Sequence, residues 1–181
     1  MMAMPSAWCT PLDKRKLILG EITLFGVLGA LTFGGKLVMM WLPNIEPVSL
    51  MVMIFAVVFG RKCLYPIYVY VFLEILVYGL GTWNIMYLYI WAILALAAWF
   101  MRKAEHPLAW AVLSGAFGML FGLFCAPVDV AIGGFGFAAA KWLSGIPFDI
   151  AHCAGNFCIA LILFKPLRAL TEKLYKQLHQ K

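Results

Sequence analysis

Long apolar runs separated by short polar stretches make up almost the whole of this chain. Most runs approach the roughly 20 residues with which an α-helix crosses a bilayer, and polar or helix-breaking residues lie between them. The pattern predicts an all-α integral membrane protein with six transmembrane helices in a single domain over residues 1–181. The predicted spans are 17–42, 47–60, 63–81, 84–101, 107–126 and 147–165.

Prolines and glycines mark the turns between the first four spans. Pro43 and Pro47 end the first run, because each lacks a backbone donor and restricts the residue before it. The glycine-containing segment 79–84 divides the long run over 63–101. The second span is short for a bilayer, so we expect it to be tilted or partly covered by protein.

The last third of the chain is less regular. Residues 127–146 contain Asp129, Lys141 and several glycines, which predicts an outer loop with a short helix. Residues 166–181 carry leucines on one face and basic side chains on the other. This pattern is typical of an amphipathic helix at the membrane surface.

The amino-acid composition excludes two other classes of protein, soluble domains and disordered chains. Hydrophobic residues make up 65% of the chain, charged residues 12%, and the mean hydropathy is +0.94. Soluble domains have about 45–50% apolar and about 25% charged residues, and disordered chains are still more polar. Both classes are therefore excluded. The five cysteines form no CxxC pair and are expected as small apolar side chains.

The charge of +6 is explained by topology. With a cytoplasmic N-terminus, every Lys and Arg except Lys36 and Lys141 falls in a segment predicted to lie inside. An excess of basic residues in cytoplasmic segments is the usual pattern in membrane proteins. We therefore expect both termini in the cytoplasm, contact with membrane lipid, and no nucleic-acid partner.

Polar side chains at membrane depth are the candidate functional residues, because each is costly there without a partner or a role. Most of them fall in the outer half of the predicted spans, which indicates a pocket that opens outward. The alternative is that they satisfy one another, for example Lys36 with Glu74 or Asp149. The candidates within the spans are Lys36, Glu74, Tyr78, Asp149, His152 and Asn156.

Loop and aromatic residues complete the predicted site. Asn44, Glu46, Asp129 and Lys141 lie in outer loops and could form its rim. The aromatic residues near the turn between spans three and four form either an interfacial belt or stacking walls for a ring-containing ligand, and both interpretations can hold together. The candidates at this turn are Trp83, Asn84 and Tyr87.

Sequence motifs for catalysis are absent: the chain has no P-loop, GxSxG or HExxH motif. Only one histidine, His152, lies in a predicted span, so a metal site is not expected. Gly26, Ala30 and Gly34 form a row of small residues on the first span. Such a row allows close helix packing, either inside the protein or against a second membrane protein.

Four stretches carry a family resemblance. They are LPNIEPVSL (42–50), FGRKCLYPIYVYVFLEILVYGLGTWNIMYLYIW (59–91), GIPFDIAHCAGNF (145–157) and LFKPL (163–167). Over about residues 15–170 the chain resembles the substrate-binding S components of energy-coupling factor (ECF) transporters. The resemblance implies a subunit of a bacterial cell-membrane importer that captures a vitamin from outside.

The resemblance also implies partners. An S component associates with a transmembrane coupling subunit (the T component) and with two cytoplasmic ATPases, so ATP is used by the partners and the chain itself is not an enzyme. No covalently bound cofactor is implied, and the vitamin is the ligand. The small-residue row contacts the coupling subunit, and Gly26, Ala30 and Gly34 occupy that row here. The nickel and cobalt branch has a histidine after the first Met, which this chain lacks.

The charges around the predicted pocket bear on the substrate. Too few cations lie there for a strongly anionic ligand such as folate, so an uncharged polar ligand is expected. Cobalamin is the leading prediction, and riboflavin, pyridoxine-type compounds and queuosine precursors stay open. The charged candidates are Lys36, Lys141, Glu46, Glu74, Asp129 and Asp149.

Two other functions are compatible with the sequence. A structural membrane scaffold of the cell-shape-factor type would need no outward polar pocket. A membrane enzyme could use Glu74, Asp149 and His152, provided that a base and a nucleophile lie within hydrogen-bond reach.

Overall fold

Every regular element of the described chain is helical. The computed structural model describes residues 11–41 and 47–180, with side chains from residue 18 onward. The helices are α1 (Pro11–Met39), α2 (Val48–Phe59), α3 (Leu64–Tyr78), α4 (Thr82–Phe100), α5 (Pro107–Met119) and α6 (Phe121–His179), with a 3-10 turn at Gly60–Cys63. The predicted all-α class is confirmed.

Helices α1 to α4 alternate in direction. α1 and α3 run parallel, since Phe25 stacks on Tyr65 near one end and Lys36 pairs with Glu74 near the other. α2 leads from the far end of α1 back to the start of α3 and therefore runs the opposite way. The chain reverses at Gly60, whose φ of 56° glycine adopts most readily. α4 follows a short turn and returns beside α3.

Helices α5 and α6 form one long hairpin. Helical hydrogen bonds continue through Leu120, the single residue between them, so residues 107–133 make one outgoing limb. The helix breaks at Gly134, where φ is 78° and ψ is 178°. Residues 135–179 then make a return limb that packs against the outgoing limb.

Close approach of the two limbs depends on glycine. A Cβ at Gly118 would lie 2.8 Å from backbone atoms of His152, and one at Gly115 would lie 3.3 Å from the backbone of Cys153. Nearer the start of the outgoing limb, the Trp110 ring stacks on the Phe164 ring of the return limb, with 4.2 Å between centroids. The limbs therefore run antiparallel in close contact over most of their length.

The expected outer loop over 127–146 is helical on both sides of Gly134. A physical reason is that helical limbs pair their own backbone donors and acceptors, which an irregular loop leaves unpaired. One glycine in an extended mirror-image conformation reverses the chain with the fewest such groups. Pro127 and Pro147 lie within the helices that flank it.

Helix α2 lies at the centre of the packing, with most of its 12 residues buried between α1, α4 and α6. At 1.5 Å per residue it is about 18 Å long, which is less than the ~30 Å of a bilayer core. Four helical stretches are long and apolar enough to cross a membrane: Ile18–Met39, Val48–Tyr78, Thr82–Phe100 and Pro107–His179. The protein thus has the character of a membrane-spanning helical protein.

The C-terminal segment predicted as a separate surface helix continues α6 to His179 and packs on the protein. The Tyr175 ring contacts Phe59 at 5.0 Å, and its hydroxyl donates to Glu21. Lys62 donates to the same carboxylate at 2.7 Å. The C-terminal segment therefore contacts both α1 and α2 at the end of the bundle where the basic residues Arg61 and Lys62 lie.

Candidate functional site

The first part of the candidate site is an ion pair between α1 and α3. Lys36 Nζ lies 3.0 Å from Glu74 Oε2, and the Glu74 residue is only 1% exposed. The ammonium also lies over two aromatic rings, Tyr78 at 5.9 Å and Tyr87 at 5.6 Å. Four of the sequence-predicted residues thus meet at the ends of α1 and α3 and the start of α4.

The second part lies on the return limb, where Asp149, His152 and Asn156 share one buried face. The Asp149 carboxylate accepts from the Gly122 N–H at 3.2 Å. Asn156 Nδ2 donates to Ser49 Oγ at 3.1 Å, which links the return limb to α2.

Among the described residues, no hydrogen bond joins any two of Glu74, Asp149 and His152. No group of three His, Cys, Asp or Glu residues in the described chain is placed to hold a metal ion.

A row of aromatic rings connects the two parts. Tyr87 lies 5.3 Å from Trp91 on the next turn of α4. Trp91 lies 6.1 Å from Phe121 of the hairpin, and Phe121 lies 5.1 Å from the His152 imidazole. The polar groups are therefore separated by a continuous row of packed aromatic rings that crosses the helix bundle and is fully buried at Trp91.

Several buried polar atoms along this row lack a hydrogen-bond partner within the described chain. Each costs about 1–3 kcal/mol when it is left unpaired, so a set of them at one place needs an explanation. The set contains hydrogen-bond acceptors, hydrogen-bond donors, and groups that can both donate and accept. The atoms are Glu74 Oε1, Asn84 Nδ2, Trp91 Nε1, Ser114 Oγ, His152 Nε2 and Asn156 Oδ1.

The remaining predicted residues, other than Asn84, lie apart from this row. Trp83 is exposed at the start of α4, and Asn84 accepts there from the Gly81 N–H. Asp129 and Lys141, expected at the rim, pair across the hairpin near its tip. The two expected residues of the loop after α1, Asn44 and Glu46, lie outside the described residues.

The small-residue row of α1 faces away from the rest of the described chain. A Cβ at Gly26 or Gly34 would meet no atom within 4 Å, and Ala30 is exposed. Gly29, by contrast, packs so closely on α3 that a Cβ would lie 2.7 Å from Val69. Internal packing of α1 therefore uses Gly29, and the row leaves an open surface.

Sequence reasoning passed over Ser49 and Ser114, and it considered Trp91 only among the aromatic residues that form either an interfacial belt or stacking walls for a ligand. The argument used for charged residues, that a polar group in an apolar span needs a partner, extends to hydroxyl groups and would have found the two serines. The chain matches no family model, no curated protein and no solved structure.

Proposed function

We propose that this chain is the substrate-binding subunit of an ECF-type importer in a bacterial cell membrane. It captures a vitamin or related micronutrient from outside and delivers it inward with a coupling subunit and two ATPases. The observation that carries the proposal is the set of unpaired buried polar atoms along the aromatic row. A ligand with amide-like donors and acceptors and a flat apolar part would complement both features.

The charge balance of the described site supports an uncharged ligand. Lys36 pairs with Glu74 and Lys141 pairs with Asp129, while Asp149 accepts from a backbone N–H. No cation is left in surplus there for a strongly anionic ligand. Cobalamin, with its fringe of amides, remains the leading candidate.

The proposed topology has six crossings with both termini inside. The alternating directions of α1 to α4 and of the two hairpin limbs support it, and so does the gathering of basic residues at one end. The short α2 and α3 are accommodated because protein covers α2 and the bilayer can thin locally.

Substitution at Trp91 tests the binding site. Trp91→Phe keeps the ring packing but removes the indole N–H, so we expect cobalamin affinity measured by calorimetry to fall about tenfold. Trp99→Phe is the matched control, since Trp99 is a more exposed residue two turns later on α4. Equal affinities in the two variants would remove the site assignment.

The same calorimetry tests the ligand itself. If cobalamin gives no heat with the wild-type protein, cobalamin is eliminated. Mass spectrometry of small molecules retained through purification then identifies the ligand, and the Trp91→Phe and Trp99→Phe comparison is repeated with it. A protein that retains and binds no such compound would favour the structural scaffold.

Substitution at Ala30 tests the docking surface. Ala30→Leu places a large side chain in the open row, so we expect several-fold less coupling subunit to co-purify while ligand binding is unchanged. Ala139→Leu, at an exposed alanine of the hairpin, is the control. Normal assembly of the Ala30→Leu protein would show that the row is not the docking surface.

A further inference from the structure

A surface groove of about 560 Å3 runs along one face of α3, away from the candidate site. Its residues recur at helical spacing, so they form a single stripe from the start of α3 to its middle. The lining is almost entirely apolar. Its one charged residue, Arg61, lies in the turn between α2 and α3. The lining residues are Arg61, Leu64, Tyr65, Tyr68, Val69 and Phe72.

Neighbouring helices hold the tyrosines of this groove in place. Tyr65 stacks on Phe25 of α1 at 5.8 Å between centroids. Tyr68 donates its hydroxyl to the Leu88 carbonyl of α4 at 2.8 Å. The groove is therefore a built surface feature, because its two tyrosine side chains each contact a different neighbouring helix.

The cation at the end of the groove has no acidic partner in the part of the chain that the structure describes. Lys62, the next residue, bonds both carboxylate oxygens of Glu21. Arg61 is exposed and has no acidic partner among the described residues. A guanidinium can hold a phosphate through two parallel N–H donors.

We propose that this groove binds one anionic phospholipid of the cytoplasmic leaflet. An acyl chain lies along the apolar stripe from Leu64 to Phe72, and the headgroup phosphate pairs with Arg61. The long apolar surface, with one cation at its cytoplasmic end that has no acidic partner among the described residues, complements an amphiphilic anion, and that leaflet is rich in such lipids. The proposal does not depend on the transport function.

Native mass spectrometry of the full chain tests the headgroup. Protein in detergent is titrated with phosphatidylglycerol or phosphatidylcholine of identical acyl chains. We expect the first phosphatidylglycerol to bind about fivefold more tightly than phosphatidylcholine, and Arg61→Gln to abolish the difference. Arg102→Gln is the matched control, since that guanidinium lies over Trp99 and donates to its carbonyl.

A second variant tests the groove. Leu64→Trp fills the stripe at a partly exposed position, so we expect it to weaken the first binding event of both lipids. Equal binding of the two lipids to the wild type overturns the proposal, and so does an equal loss in Arg61→Gln and Arg102→Gln. If Leu64→Trp instead lowers co-purification with another membrane protein and leaves lipid binding unchanged, the groove is a protein interface.

Discussion

Glu74 shows how a charged residue is tolerated inside this bundle. One carboxylate oxygen contacts Lys36, and the ammonium in turn lies over the rings of Tyr78 and Tyr87. A buried ion pair adds little net stability, but the loss of one partner leaves an uncompensated charge. The residue is therefore acceptable only as part of this group.

Removal of Lys36 alone should be far more harmful than removal of the pair. We expect Lys36→Met to lower the free energy of unfolding by about 3–5 kcal/mol and the double variant Lys36→Met/Glu74→Met to recover most of the loss. Thermal unfolding in detergent measures both. Lys62→Met, whose ammonium is half exposed, should cost about 1 kcal/mol or less. Similar losses in all three variants would contradict this account.

Individual site residues were identifiable from the sequence only where their chemistry conflicted with their surroundings. Lys36, Glu74 and His152 are conspicuous in apolar runs. Which residues meet across the bundle is not identifiable in this way, because Lys36 and Tyr87, or Asn156 and Ser49, are separated by long stretches of chain. Contact across the bundle depends on helix rotation and crossing, which local pattern does not specify.

At the scale of elements, the hairpin shows most clearly what a single residue decides. The outgoing and return limbs are helical up to Gly134, and its φ of 78° with ψ of 178° belongs to a region that is essentially restricted to glycine. Composition suggested an irregular outer loop here. One backbone conformation accounts for the turn instead.

Alanine substitution separates this backbone effect from helix propensity. Gly134→Ala should destabilise the protein by about 1–3 kcal/mol, because a side chain strains that conformation. Gly136→Ala, two residues later, meets no atom and has no positive φ, so we expect no loss. Thermal unfolding compares the two. Equal melting temperatures would show that the turn tolerates a side chain.

At the scale of the whole molecule, the basic residues gather at one end. Lys62 reaches Glu21, which also accepts from Tyr175 of the C-terminal segment. Lys36 and Lys141 lie toward the opposite end, at the ion pairs with α3 and across the hairpin. The asymmetry predicts which end faces the cytoplasm.

Cysteine labelling tests the six crossings. In a background without the native cysteines, Arg61→Cys and Lys103→Cys should react with an impermeant maleimide only in inside-out vesicles. Phe135→Cys, at the exposed hairpin tip, should react only in intact cells. If Val48–Tyr78 crossed the membrane once, position 61 would lie within the bilayer and react from neither side.

The sequence by itself determined that the chain is a helical membrane protein surrounded by lipid, and it determined the approximate helix bounds over most of the chain. Both follow from the length of apolar runs and the positions of helix-breaking residues, which are local properties. Only the tertiary structure decided that α2 is buried at the centre and that the C-terminal segment packs on Glu21. It also decided that Lys36 forms its ion pair with Glu74 and not with Asp149. These outcomes depend on which helix faces meet. In an apolar bundle, shape and a few polar pairs select those faces, since hydrophobicity distinguishes them poorly.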